Sequence, residues 1–447
     1  MKDTANVNPQ DIVRLLVEIV GKDNVLHESY DLVAYSRDRY PILTHPKLGV
    51  KPVAVVRPAT TDEVRKIVLL ANKHRIPLTP RGSGTNYAGS AVPVKGGVVL
   101  DLTRMNKILN INEDSMSAKV QAGVILQKLE EALNDKGFTF GHDPGSFPTA
   151  TVGGCISTRS LGWRAGKYGD MGRLVVALTV VLPTGVVVET REVPTSSTGF
   201  DVNSLFIGAE GTLGVITEAV LRIHPFPEER VFLRYSFNSF EQAFKSLLKV
   251  LRNGLNPTSS FVEDYEDKQE AELFLYYEGV KEIVEAQVKR VVSILDTEGG
   301  TKLDDKVAKE YWANRHDMFS QMNMEGVADS IEPAVPANKT LEFYKFLKEW
   351  IKRSGVKVIG MSSWVYPENL GMDIAFDETK AEEYAAARDE LANKALELGG
   401  TVSYCVGVGL RFQHLMRKEH GSALDLMKTI KRAMDPNNIM NPGGLGL

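Results

Sequence analysis

The stretch Pro80-Arg81-Gly82-Ser83-Gly84-Thr85-Asn86-Tyr87-Ala88-Gly89 follows a short apolar run, Ile76-Pro77-Leu78-Thr79. Glycines placed behind a strand let main-chain N–H groups approach an anion closely, so the stretch has the chemistry of a phosphate cradle. Two common cradles do not fit it. The Gly-x-Gly-x-x-Gly dinucleotide fingerprint needs a third glycine opening into a helix. Tyr87 stands at that glycine, and residues 90–97 carry a proline and no helical periodicity. The triphosphate loop needs a lysine after Gly89, where Ser90 stands. Taken alone, the stretch reads equally as a surface turn.

The flanking pattern alternates short strands with helices. Residues 51–58 read as a strand, and the segment from Thr60 to Arg75 reads as a helix. Thr60 and Glu63 have capping-box spacing there, and Val64, Ile67, Val68 and Ala71 form one face. Strands are expected at 76–80, 96–102 and 117–123, and a helix from 124 that stops at Gly137. Residues 174–190 predict a hairpin turning at Pro183-Thr184-Gly185. The prolines of 224–230 mark a boundary. Beyond it the pattern gives a strand (231–237), a helix (239–253), a strand region (258–264) and helices over about 279–297 and 305–323. A helix around 345–355, strands over 356–366 and 371–377 and a helix over 379–398 follow. This is an α+β arrangement with an antiparallel sheet backed by helices. The segment from 399 reads as a return, with a last helix near 422–434.

Two further polar, glycine-bearing stretches lie in the first half, at 143–158 and 208–223. Long loops on a rigid scaffold commonly carry binding residues. Together with the first stretch they offer many main-chain donors, and Ser83, Thr85, Ser146, Thr149, Thr151 and Ser157 add hydroxyls. These segments resemble the FAD-linked oxidase superfamily of the vanillyl-alcohol oxidase and p-cresol methylhydroxylase type. That group includes the glycolate oxidase flavin subunit, D-lactate dehydrogenase and alkyldihydroxyacetonephosphate synthase. The resemblance rests on residues 54–86, 149–158 (TATVGGCIST), 167–175 (KYGDMGRLV), 197–201 (STGFD), 208–219 (GAEGTLGVITEA) and 435–444 (DPNNIMNPGG), in that order.

The resemblance implies an α+β fold: a two-part FAD-binding domain over 1–225, a substrate or cap domain over 226–400, and a C-terminal segment over 401–447 returning to the first. It implies FAD, held by Pro80, Arg81, Gly82, Ser83, Gly84, Thr85 and Asn86 at the pyrophosphate. Gly145, Ser146, Thr149, Thr151, Gly153, Gly154 and Ser157 would follow along the ribityl chain and flavin, and Glu210, Gly211, Gly214, Val215 and Ile216 would line the same cofactor. Some relatives attach the flavin covalently through a histidine in the first loop; residues 80–90 contain none, so noncovalent FAD is expected.

Relatives that oxidise 2-hydroxy acids often hold a divalent metal through two histidines on a cap strand and a glutamate near the C-terminal glycine loop. Here Met361 and Trp364 occupy the strand positions, and Tyr404-Cys405-Val406 stand in the loop; Met, Trp and Val do not replace imidazole and carboxylate. No metal is expected. The histidines that serve the ether-lipid synthase in that loop are missing too, as is a tyrosine near Gly371–Asp373. What remains is Arg315 in the Trp-x-x-Arg segment, suited to gripping an anionic substrate group. Tyr366, Tyr404 and Arg411 are further catalytic candidates. The resemblance thus implies an FAD-dependent dehydrogenase of a small anionic 2-hydroxy acid. The alternatives are a flavin-dependent alkyl transferase and a flavoprotein electron-transfer subunit of a larger complex. The electron acceptor would be oxygen, a quinone, an electron-transfer flavoprotein or an iron–sulfur subunit, and a homodimer is possible.

Composition narrows the classes. The net charge is −4, without the basic excess of a nucleic-acid binder. Residues 1–23 have amphipathic-helix spacing rather than that of a signal peptide, and no run of 18 apolar residues occurs. The two cysteines, Cys155 and Cys405, cannot by themselves build a disulfide framework or hold an iron–sulfur cluster, and a cytoplasmic location is expected.

Overall fold

The computed structural model describes residues 8–37, 50–264, 270–317, 327–376 and 381–447. Strands β1 (Val25–Leu26), β2 (Ala54–Val56), β3 (Leu78–Arg81) and β4 (Val98–Asp101) form a sheet in the order β1-β2-β4-β3. β2 and β3 both run parallel to the central β4, which requires crossover connections. The helix Thr61–His74 between β2 and β3 buries the expected stripe, Val64, Ile67, Val68 and Ala71. Thr60 Oγ1 accepts from the Glu63 N–H at 3.2 Å, and the Glu63 carboxylate accepts from the Ala59 N–H at 2.7 Å. The helix start is thereby fixed, and β3 is aimed so that its C-terminal end delivers the glycine stretch.

A second sheet is built from β5 (Ile108–Asn112), β6 (Ser117–Gln121) and, beyond the two-residue β7 (Phe138–Thr139), from β8 (Val175–Val181), β9 (Val187–Glu189) and β10 (Val215–Arg222). Its order is β5-β6-β10-β8-β9, antiparallel throughout. The hairpin between β8 and β9 turns with Gly185 at φ 80°. A short β11 (His224–Pro225) pairs with β7. One apolar core joins both sheets, running from Val56, Leu78 and Leu100 to Val120, Val180 and Ile216.

The second half is a seven-stranded antiparallel sheet made of β12 (Glu229–Phe237), β13 (Ser259–Asp264), β14 (Ala271–Gly279), β15 (Thr301–Lys302), β16 (Val327–Ile331), β17 (Lys357–Trp364) and β18 (Gly371–Phe376). The order is β15-β12-β14-β13-β17-β18-β16. β14 and β16 are absent from the sequence pattern above. β14 lies between β12 and β13 and is covered on both faces: Leu273, Leu275 and Tyr277 join the larger core of the second half, and Phe274 and Tyr276 pack on the other face against Trp312 of the helix Asp305–Ala313. A strand buried on both faces reads as an apolar run without alternation, so period gives no signal. The helices Phe240–Arg252, Lys281–Thr297, Thr340–Ser354 and Ala381–Glu397 stand at the expected places. The helix expected over 305–323 is present at Asp305–Ala313; positions 318–323, like 377 and 379–380, lie outside the described residues.

The two halves meet through aromatic rings and buried charge. Trp163 stacks on Phe261 with centroids 4.7 Å apart. Arg164 bonds Glu130 at 2.9 Å and reaches Glu278 of β14 at 3.4 Å, while Arg315 donates to Asp143. The last residues return to the first sheet. The Leu78 N–H donates to the Ile439 carbonyl and the Asn441 N–H to the Leu78 carbonyl, both at 2.7 Å. Asn441 Nδ2 then bonds the carbonyls of Ser90 and Glu210. Glycine loop, Glu210 turn and return segment are fastened by this one side chain.

Candidate active site

The three glycine-bearing stretches come together around one cavity of about 1320 Å³, its open mouth included. Its lining runs from the loop behind β3 to residues of the second half of the chain, which suits an elongated ligand. One wall is the loop 80–87 behind β3. A second comprises Pro144, Gly145 and Ser146 and the helix Val152–Thr158, and a third is the turn Glu210–Gly211 leading to Gly214 and Ile216 of β10. The cap and return segment close the far end with Glu332, Trp364, Cys405 and Val406.

The loop is shaped for close approach. A Cβ on Gly82 would lie 2.1 Å from Thr151 Oγ1, and one on Gly84, whose φ is 70°, would lie 2.1 Å from the Arg81 guanidinium. Arg81 donates to the Arg37 carbonyl at 2.8 Å and lies over the Tyr35 ring; it braces the loop. Among the described residues no group accepts from the N–H of Ser83, Gly84, Thr85 or Asn86. Four consecutive free donors beside a cavity suit a pyrophosphate. The helix Val152–Thr158 contributes differently. Its first N–H groups are taken by the Val124 and Ala122 carbonyls and by Thr151 Oγ1, so it supplies wall and not anion donors. Leu102, Ala122, Ala150, Leu161 and Ile216 add apolar lining suited to rings.

Of the nineteen expected cofactor residues, Thr149 and Val215 do not line the cavity. Thr149 Oγ1 donates to the Ser146 carbonyl at 3.3 Å, within the turn, and the Val215 side chain is in the core below β10. Glu210 does line it and is also structural. Its carboxylate accepts from the N–H groups of Val408 (2.7 Å) and Gly409 (2.9 Å). Asn86 Nδ2 donates to the Val406 carbonyl at 2.7 Å. The return loop is thus held over the cavity from two walls.

None of the four expected catalytic residues is in the lining. Arg315 Nε and Nη2 donate to Asp143 Oδ2 at 3.1 and 3.0 Å, and its guanidinium lies 4.2 Å above the Trp312 ring. Tyr366 donates to the Ala165 carbonyl at 2.7 Å and Tyr404 to the Trp364 carbonyl at 3.2 Å. Arg411 is buried; it bonds Asp329 Oδ1 and the Ser330 carbonyl, both at 2.9 Å. Burial opposes its charge, and Asp329 more than restores it, holding its pKa above the ordinary value.

The far end brings in a group that the sequence did not single out. Glu332 follows β16, and its Oε2 accepts from Tyr87 OH at 2.9 Å and from Cys405 Sγ at 2.8 Å. Burial pushes the Glu332 carboxyl up, against the opposing effect of the two hydrogen bonds. Burial likewise pushes Tyr87 and Cys405 well up, so both stay protonated donors. Glu332 sits in Ser-Ile-Glu-Pro-Ala-Val-Pro, which carries no recognisable chemistry; only the tertiary fold brings it to Tyr87 and Cys405. Met361 is buried in the cap core, whereas Trp364 lines the cavity.

Two family models match the chain: the FAD binding domain over residues 52–191 and the C-terminal domain of FAD linked oxidases over 226–445. The chain is 29% identical to glycolate oxidase subunit GlcD of Bacillus subtilis (strain 168), over 97% of this chain and 96% of that one. It is 30% identical to D-lactate dehydrogenase of Anaerostipes hadrus, over 90% and 91%. Its fold is that of p-cresol methylhydroxylase, solved with substrate bound (TM-score 0.83, 23% identity, 98% of this chain and 96% of that one). With a cavity whose free amides and glycine-lined walls fit the cofactor, the chain belongs to the FAD-linked oxidase family and is an oxidoreductase that uses FAD.

Proposed function

We propose that this protein dehydrogenates a small anionic 2-hydroxy acid of the lactate or glycolate kind, with FAD held noncovalently. The observation that carries this reading is near-full-length kinship with a glycolate oxidase subunit and a D-lactate dehydrogenase, on a cavity whose far end is closed by the carboxyl of Glu332. FAD, when bound, supplies the two-electron acceptor. The residues proposed to hold it are Arg81–Asn86 at the pyrophosphate, with Gly145, Ser146, Thr151, Gly153, Gly154, Ser157, Glu210, Gly211, Gly214 and Ile216 along its length. No histidine lines the cavity among the described residues, which favours noncovalent binding.

Arg81 is the sole cation in the described lining, and it braces the loop end. A substrate carboxylate meets no other cation of that lining; its grip is assigned to Arg315, which stands outside the lining and would have to turn from Asp143 to reach it. That side chain is held on Asp143, the residue just before Pro144 and Gly145 of the wall. Trp364, Leu161 and Val406 would give the reacting carbon an apolar surround. Reoxidation falls to an acceptor outside the chain, because two cysteines cannot hold a cluster by themselves.

The test is an anaerobic visible spectrum of the FAD-loaded protein with glycolate, D-lactate, L-lactate and longer 2-hydroxy acids. Bleaching by one acid is expected. A loaded protein that no acid bleaches, while an uncharged alcohol does, would contradict the substrate class.

A further inference from the structure

Glu332 stands at the substrate end of the cavity with one oxygen engaged and one free. Tyr87 OH and Cys405 Sγ both donate to Oε2. Oε1 has no partner among the described residues and is not sealed from the cavity that Glu332 lines. The backbone is fixed as well: the Glu332 carbonyl accepts from the Tyr404 N–H at 2.8 Å. A carboxylate whose rear oxygen is clamped by two donors and whose front oxygen is left open to the cavity is oriented to take a proton.

From this geometry we infer that Glu332 is the general base of the reaction, with Tyr87 and Cys405 as its positioning residues. The inference rests on the dehydrogenase reading given above. The substrate O–H bond breaks and its proton passes to Glu332 Oε1. The electron pair of that bond becomes the second carbon–oxygen bond, and the carbon's hydrogen leaves with its own pair to the family's oxidant. Substrate is oxidised by two electrons, and Glu332 ends protonated. The groups that set its titration are Tyr87 from the glycine loop, Cys405 and Arg411 from the return segment, and Asp329 and Asp373 from the cap sheet. Burial raises Asp373 to about 7, with Glu332 and Asp329 adding to the rise, and Arg411 is bonded to Asp329 behind the cavity wall. Tyr404, Cys405 and Val406 stand in the loop where histidines are expected from relatives, and the glutamate takes over proton transfer.

The experiment uses the FAD-loaded protein, wild type and Glu332→Gln, with glycolate and D- and L-lactate as probes. Retained flavin absorbance shows that the variant is folded. The expected result is anaerobic reduction slowed by at least about 100-fold, the usual contribution of a general base, with loss of the acidic limb of the rate–pH profile. A variant reduced within about threefold of wild type, or slowed with an unchanged pH profile, overturns the assignment; the second outcome is that of a merely structural residue. Tyr87→Phe provides an independent variant: loss of one donor shifts the acidic limb to higher pH, and no shift counts against the inference. If no probe reduces wild type, the substrate reading fails, and Glu332 is judged by infrared titration. A carboxyl band titrating above the ordinary range, shifted in D₂O and absent from Glu332→Gln, supports it, and no such band overturns it.

Discussion

Replacing Arg411 by methionine separates two roles that one sequence position could have. Arg411 donates to Asp329 Oδ1 and to the Ser330 carbonyl, and Asp329 also accepts from Tyr384 OH at 2.6 Å. Arg411 and Asp329 are 1% and 6% exposed, so the pair has almost no solvent screening. Methionine keeps much of the volume but leaves Asp329 buried without its counter-charge, which costs about 3–5 kcal/mol. For a unit of roughly the cap's size, that lowers the melting temperature by about 6–20 °C. Tryptophan fluorescence is a suitable probe, because Trp312, Trp350 and Trp364 report on the cap. The double variant Asp329→Asn with Arg411→Met removes the orphan charge and should recover part of the loss. A single variant that melts like wild type would refute the reasoning, as would a double variant no better than the single. Wild-type melting together with lost reduction by hydroxy acids would instead make Arg411 catalytic.

Other outcomes follow from the same contacts. Gly82→Val places side-chain atoms against Thr151 Oγ1 and into the loop; FAD affinity should fall at least tenfold in a fluorescence-quenching titration, with the fold kept by circular dichroism. Glu210→Ala frees the Val408 and Gly409 N–H groups, each a charge-assisted bond worth about 1.5–3 kcal/mol; proteolysis should then cut the 403–409 loop faster. Arg315→Met should raise KM for a hydroxy acid at least tenfold and leave FAD binding intact. His142 is buried against Ser160, and burial lowers its pKa to about 3 from 6.5. Its neutral form therefore contributes stability that is fully present above pH 6.5 and is lost as pH falls toward 3, at up to about 1.4 kcal/mol per pH unit. The difference in melting temperature between wild type and His142→Asn should be constant above pH 6.5 and should change steadily below it.

Local chemistry made much of the fold legible. The Thr60 cap, the 64–67–68–71 stripe and the Pro183–Gly185 hairpin are short-range features, and the structure shows each of them. β14 was not legible, because a strand covered on both faces loses its alternation. The cavity walls could be read from glycine and hydroxyl spacing, since close backbone approach restricts residue type at Gly82 and Gly84. Proton chemistry at the far end could not. Glu332 meets Tyr87, 245 positions earlier, and Cys405, 73 positions later, and no local pattern encodes that meeting. Arg411 and Tyr366 drew notice as polar residues near expected catalytic loops, yet their bonds run to Asp329 and to the Ala165 carbonyl.

The central claim, that loops 80–87, 144–158 and 210–216 enclose noncovalent FAD, is tested most directly by releasing the cofactor. The purified protein is incubated with FAD, desalted and precipitated with acid, and pellet and supernatant are examined by visible absorption. The account predicts a yellow protein with about one flavin per chain, as expected for one dinucleotide site, and all of that flavin in the supernatant as intact FAD. A yellow pellet would show a covalent bond and contradict the binding mode; a colourless protein after incubation would contradict the site itself.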